Sequence, residues 1–163
     1  MRVLMKRGVY CRVPSRIMED ALARYLAEHI PLSAAMDVHI EVASPARILL
    51  SAPLGPNTNH RGTAFGGSIS SLAILAGWSW LWVILSERAS RPELVIASSH
   101  VEFVRPITGE FAAELRPPSD EAIALFLRGL EGHGKGRIEL SVEVLGAGEI
   151  AARFKGTYVA LAR

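Results

Sequence analysis

The sequence predicts an α+β fold in which an antiparallel sheet of about six strands wraps around one long buried central helix. Three observations lead there. Residues 62–86 carry no charged side chain, so a helix formed from them is apolar all round and has to be enclosed. The stretch "RIELSVEVL" alternates strictly, with Ile138, Leu140, Val142 and Val144 on one face and Arg137, Glu139, Ser141 and Glu143 on the other, which is the period of a half-buried strand. Strand-like segments of this kind recur in pairs separated by turn residues, the signature of antiparallel hairpins.

Taken in order, Arg16 to Ile30 reads as a helix with Ile17, Ala21, Tyr25 and Ile30 near one stripe, Ser15 as N-cap and Pro31 as its stop. "MDVHIEV" and "ARILLSAPL" form a first strand pair around Ser44-Pro45. The loop "NTNHRGTAFGGS" then leads into the central helix, where Trp78, Trp80 and Trp82 alternate and so point in well-separated directions, as core or tunnel wall. Ala73, Ala76 and Gly77 are small enough to let the sheet approach closely. "LVIASSHVEFV" and "EFAAEL" are expected to pair around Pro106 to Gly109. Ser119 to Leu130 reads as a helix with Ile123, Phe126, Leu127 and Leu130 together, stopped by the glycines at 129, 132, 134 and 136. "RIELSVEVL" and "EIAARFKGTYVAL" close the chain as a hairpin through Gly146-Ala147-Gly148.

The chain of 163 residues suits a single domain, expected over residues 16–163 behind a basic N-terminal tail over 1–15 that carries Arg2, Lys6, Arg7 and Arg12. Eighteen basic against sixteen acidic side chains, scattered along the sequence, do not make a nucleic-acid surface. Cys11 is the only cysteine, which excludes an intramolecular disulfide and points to a reducing, cytoplasmic location. The uncharged run is long enough to span a bilayer, but serines and glycines dilute it, and burial by the sheet is the expectation rather than a membrane span. The histidines at 29, 39, 60, 100 and 133 lack metal-ligand spacing, and no metal or other cofactor is expected. Gly129, Gly134 and Lys135 come near a phosphate-binding loop, yet Gly136 stands where Ser or Thr is required. Gly146, Gly148 and Ala151 fit a dinucleotide pattern only in letters, because a strand follows and the chain has no room for a crossover unit.

The loop before the central helix carries the chemistry. Gly66 and Gly67 stand at the start of the helix, where Ser68 can cap and the first backbone N–H groups lack an intrahelical partner. Glycine permits close approach, and the helix start carries about half a positive charge, so a carbonyl oxygen gaining negative charge could be held there as in an oxyanion hole. An ordinary tight packing turn has the same local sequence.

"NTNHRGTAFGGSISSLA", "VEFVRPITGEF" and "GKGRIELSVEVLGAGEIAARFKGTYVAL" together resemble a hotdog-fold acyl thioesterase, most nearly the YiiD-type C-terminal thioesterase domain, over about residues 16 to 163. The resemblance implies hydrolysis of acyl-CoA or acyl-carrier-protein thioesters, and a homodimer or dimer of dimers with active sites at the subunit interface. It implies that Asn59 is the loop amide beside the thioester and attacking water, and that Gly67 gives a backbone N–H to the thioester oxygen. Asn57, Thr63, Phe65, Gly66, Ser68 and Ser71 are expected to line the substrate, while Arg105, with Lys135 and Arg137, could meet coenzyme A phosphates. One departure stands out. Related phenylacetyl-CoA-type thioesterases carry a carboxylate on the central helix, and Ile74 occupies the corresponding position here, with no acidic residue between Arg61 and Glu87. His60 is therefore the nominated base, since an imidazole is suited to proton transfer near neutral pH; tying the loop down by hydrogen bonds is its alternative role. His100 and Glu102, on one face of a strand, form another candidate pair. A non-catalytic acyl-thioester binding module of the same fold is the rival reading, and a dehydratase would need an acid on the same helix.

Overall fold

The computed structural model describes residues 15–86, 88 and 91–162. The expected basic tail falls, apart from residue 15, outside the described residues. The first helix, α1 (Ser15–His29), buries Met18, Leu22 and Leu26. Of the predicted stripe, Ala21, Tyr25 and Ile30 are partly buried against the core while Ile17 is exposed. The deepest burial falls on the adjacent stripe, decided by what α1 packs against, which sequence spacing does not show. Pro31 does not only stop α1. It opens a short second helix, α2 (Pro31–Ala35), that the sequence reading missed, using the first-turn position where its missing N–H costs nothing.

Strands β1 (His39–Ser44) and β2 (Arg47–Ala52) pair antiparallel as expected. The central helix α3 (Gly66–Ile84) packs on every strand of the sheet. Its composition and length would pass for a membrane span, with a mean hydropathy of 1.4, but 61% of it is buried inside the domain. Beyond it come β3 (Glu93–Phe103), β4 (Phe111–Leu115), α4 (Asp120–His133), β5 (Lys135–Gly146) and β6 (Glu149–Leu161). The six strands form one antiparallel sheet in the order β1-β2-β4-β5-β6-β3, curled around α3 as the hotdog fold requires.

That order corrects one expectation. β3 and β4 are not a hairpin: β3 pairs with β6 at the sheet edge, and β4 lies between β2 and β5. The intervening segment crosses the end of the β5–β6 hairpin instead of turning back. Val104 and Arg105 donate their backbone N–H groups to Ala151 O at 2.8 and 3.1 Å. Ile107 is buried against Gly146, where an added methyl would come within 3.1 Å of it. The hairpin itself turns through Ala147 and Gly148, both at positive φ (52° and 79°), the pair of left-handed residues that matches strand twist in a two-residue turn.

The glycines after 128 also have a different role from the one expected. α4 runs through Gly129 and Gly132 to His133, three residues past its predicted end, and stops at Gly134 in the left-handed conformation, φ 69°. Its N-terminus is capped by Ser119, whose side chain accepts from Ala122 N at 3.3 Å. A Cβ at Gly129 would lie 2.9 Å from Lys135 O, and one at Gly136 would lie 2.7 Å from Phe126 O. These glycines let α4 lie directly on β5.

Candidate active site

The loop between β2 and α3 is built by two asparagines. Asn57, only 1% exposed, donates through Nδ2 to Met36 O and Pro53 O, both at 2.8 Å, and its backbone oxygen accepts from Phe65 N at 2.7 Å. It anchors the loop to the domain from inside. Asn59 closes the tip. Its Oδ1 accepts from Arg61 N at 2.8 Å and Thr63 N at 3.3 Å, while Nδ2 donates to Thr63 Oγ1 at 2.9 Å and Ala64 O at 3.4 Å. Gly62, at φ 74°, completes the turn by donating to Asn59 O. Ala64 N donates to Ile107 O at 2.8 Å, which moors the loop to the β3–β4 crossing. Thr63 thus serves Asn59, and both ends of the Asn59 amide are occupied by the loop itself. His60 is exposed at the tip and makes no hydrogen bond among the described residues.

The helix that follows starts without a side-chain cap. Phe65 is its N-cap residue (φ −69°, ψ 132°), and the first intrahelical bond runs from Ile69 N to Phe65 O at 3.0 Å. Ser68, expected as the cap, is the third residue of the helix, because both glycines are already helical. Among the described residues the backbone N–H groups of Gly66, Gly67 and Ser68 donate to nothing. Three open donors therefore meet the positive end of a 19-residue helix. The glycines are also forced by crowding: a side chain at Gly67 would run into the Phe65 ring, and a methyl at Gly66 would lie 3.2 Å from Phe103. Gly66 opens onto a cleft of about 380 Å³ that it shares with Ala64, Ile69, Phe103, Val104 and Arg105. Arg105 is half-exposed there and ion-paired with Glu149.

Further along, α3 is not enclosed all round. Gly67, Ser71, Ile74 and Trp78 are partly exposed, whereas Leu72, Ala73, Ala76 and Leu81 are fully buried. A cavity of about 280 Å³ lies over this stripe, with Ser71, Ile74, Trp78, Leu32, Ile96 and Tyr158 in its wall. Tyr158 donates its hydroxyl to Ile74 O at 2.9 Å, and burial pushes its pKa up. Among the described residues, neither this cavity nor the cleft at Gly66 has a carboxylate in its lining. His100 and Glu102 are exposed on β3, Glu102 lying 3.9 Å from Arg153 of β6.

The structure thus brings Gly66 and Arg105 to one cleft, and Gly67 and Ser71 to the stripe beside it. It sets Asn57, Asn59 and Thr63 to holding the loop. Sequence reasoning missed Phe103, Leu32, Ile96 and Tyr158, which reach α3 from β3, α2 and β6.

Residues 19–162 match the family model YiiD_C, described as "Putative thioesterase (yiiD_Cterm)". Among solved structures, the chain is similar to a protein of unknown function from Chlorobaculum tepidum, with 26% identity and a TM-score of 0.86 over 91% of this chain and 97% of that one. It is similar to a protein of Shewanella oneidensis described as a putative thioesterase, at 26% identity and a TM-score of 0.80, covering 90% and 99%. A Pseudomonas aeruginosa protein described as a probable thioesterase matches at 25% identity and a TM-score of 0.74, covering 88% and 96%.

Proposed function

The chain belongs to the YiiD C-terminal thioesterase family, and from that premise we propose that it hydrolyses acyl-CoA or acyl-carrier-protein thioesters in the cytoplasm as a homodimer or dimer of dimers. Thioester hydrolysis itself follows from the family and from its thioesterase relatives; substrate, residues and assembly are the proposal. The observation that carries it is the uncapped start of α3, with three unpartnered N–H groups, beside an apolar cleft.

The acyl carbonyl sits with its oxygen toward Gly66 N and Gly67 N, which donate to the negative charge that grows as the carbon becomes tetrahedral. Water held at the loop by His60, with Asn59 keeping the turn in shape, gives its proton to the imidazole and attacks the carbonyl carbon. The C–S bond then breaks, the thiolate takes the proton from the imidazolium, and a carboxylic acid leaves. Phe65, Ser68 and Ser71 border the acyl group, Thr63 supports Asn59, and Asn57 holds the loop against the domain. Arg105 exchanges its exposed partner Glu149 for a phosphate of coenzyme A.

Support for the dimer comes from β3. It is one of the two outer strands of the sheet, at the edge opposite β1, and none of its residues is buried. An exposed sheet edge of that length is covered in stable proteins. Phe103 ends the strand at 55% exposure, next to the Gly66 cleft, so a second copy laid along β3 would also roof the site.

His60→Ala is expected to lower kcat about 10²-fold with the melting temperature unchanged, because the side chain is exposed and unbonded. Asn59→Ala should cost a similar factor and also lower the melting temperature, because its amide closes the turn. Thiol release from a panel of acyl-CoAs measures both. Wild-type turnover in both variants would remove the loop from the chemistry.

A further inference from the structure

We infer that Trp78 sets the length of acyl chain this enzyme accepts, acting as a partition between two cavities along α3. The inference rests on the acyl-thioester reading above. Gly67, Ser71, Ile74 and Trp78 follow one another at spacings of four, three and four, so they form a single line down the helix. Between Ser71 and Val83, Ser71, Ile74 and Trp78 are partly exposed and the rest of the helix is buried. Ser71, Ile74 and Trp78 of this line stand in the wall of the cavity of about 280 Å³, which begins one turn on from the open N–H group of Gly67. Beyond lies a second cavity of about 360 Å³, bordered by Tyr25, Trp82, Arg91 and Val95. Among the described residues, Trp78 is the one in the walls of both. Tyr25 stacks on its ring at 5.6 Å, the planes 23° apart, and is itself stacked on His29 at 4.1 Å. The partition is braced from α1.

The chemistry changes across it. The nearer cavity is lined by aliphatic residues, among them Leu32, Ile74 and Ile96, with Ser71, Tyr158 and Trp78; the farther one holds Arg91, whose guanidinium lies 4.4 Å over the Trp82 ring. A chain anchored at Gly67 therefore runs along apolar wall until it meets Trp78, whose side chain leans back toward the helix start. The seven residue steps from Gly67 to Ile74 rise about 10 Å, and an extended alkyl chain of ~1.5 Å bonds advances about 1.25 Å per carbon. The fit is to an acyl group of about eight carbons.

The test is kcat/KM for thiol release from acyl-CoA and acyl-pantetheine thioesters of four to eighteen carbons. The parent should favour chains near eight carbons and fall off sharply beyond them, since a methylene with or without room in an apolar pocket is worth about tenfold or more. Trp78→Ala, which joins the two cavities, should raise kcat/KM for sixteen carbons at least about tenfold and leave four carbons within about threefold. Ile74→Phe, which fills the nearer cavity, should do the reverse, losing eight carbons while keeping four. The second variant decides the matter if the first does not fold. An unchanged chain-length profile in a folded, active Trp78→Ala or Ile74→Phe overturns the inference while leaving thioester hydrolysis standing. A parent that cleaves none of the panel overturns the acyl-thioester reading, and this inference with it.

Discussion

β5 and β3 flank the same strand, both antiparallel to β6 and nearly equal in length at 12 and 11 residues. Their fates differ. Gly136, Ile138, Leu140, Val142 and Val144 of β5 are buried in strict alternation with exposed partners, whereas β3 buries nothing, and its Val95 stands 46% exposed. One row through the sheet makes the contrast local: Ile138, Tyr158 and Ile96 sit side by side, the first buried under the helix layer and the last in the wall of a cavity. Both strands carry β-branched residues and the same pleat. What separates them is cover. β5 has a strand on each side and α4 on it, while β3 has one neighbour and an open edge that the proposed second copy would take.

Placing a charge on each strand should have unlike consequences. Val142→Asp places a carboxylate in a site 1% exposed with no partner, and a loss of about 3 kcal/mol or more is expected, seen as the disappearance of a cooperative melt. The next largest effect belongs to β3. Val95→Lys combined with Phe103→Lys should leave the fold intact by circular dichroism yet weaken self-association by about 10²-fold or more, since exposed aromatic anchors dominate interfaces. Sedimentation at micromolar concentration should show the mass halving. A double variant that keeps the parent's mass would mean that β3 is covered by something other than a second copy.

The same contrast explains what the sequence could reveal. β6 is found at its predicted bounds and β5 extends only a residue or two beyond its own, because their burial follows from a core formed within one chain and a turn that announces itself in glycine. The place of β3 could not be read that way: Pro106 and Gly109 look like turn residues, and nothing local says that β4 must insert between β2 and β5. At the site, the loop and its two glycines were legible, since they need special backbone or close approach. The open stripe of α3 was not. Ile74 and Trp78 are as apolar as the buried Leu72 and Trp80, so no change of polarity marks the side that faces a cavity. Leu32, Ile96 and Tyr158 complete that cavity from segments far apart in sequence, and only the strand order brings them together.

The smallest expected effect tests the residue between the two strands. Tyr158 is fully buried, and its hydroxyl reaches Ile74 O past Gly77, where an added methyl would come within 2.5 Å of the tyrosine ring. Tyr158→Phe removes one hydrogen bond and should cost about 1 kcal/mol at neutral pH. Burial holds the phenol protonated in the folded chain, its pKa raised above the ordinary value of about 10. The unfolded chain releases that proton near pH 10 and the folded chain retains it, so the contribution of Tyr158 is constant below about pH 10 and falls as pH rises above it, by up to about 1.4 kcal/mol per unit. Every other group is common to both proteins, so the difference between parent and Tyr158→Phe isolates the phenol. Urea unfolding from pH 8 to 11 should show a gap that is steady at first and then narrows or reverses above pH 10. A gap that stays constant to pH 11 would mean that the ring between Ile138 and Ile96 is reached by water from the β3 side, and that the open edge of the sheet extends one strand deeper than the burial of β6 implies.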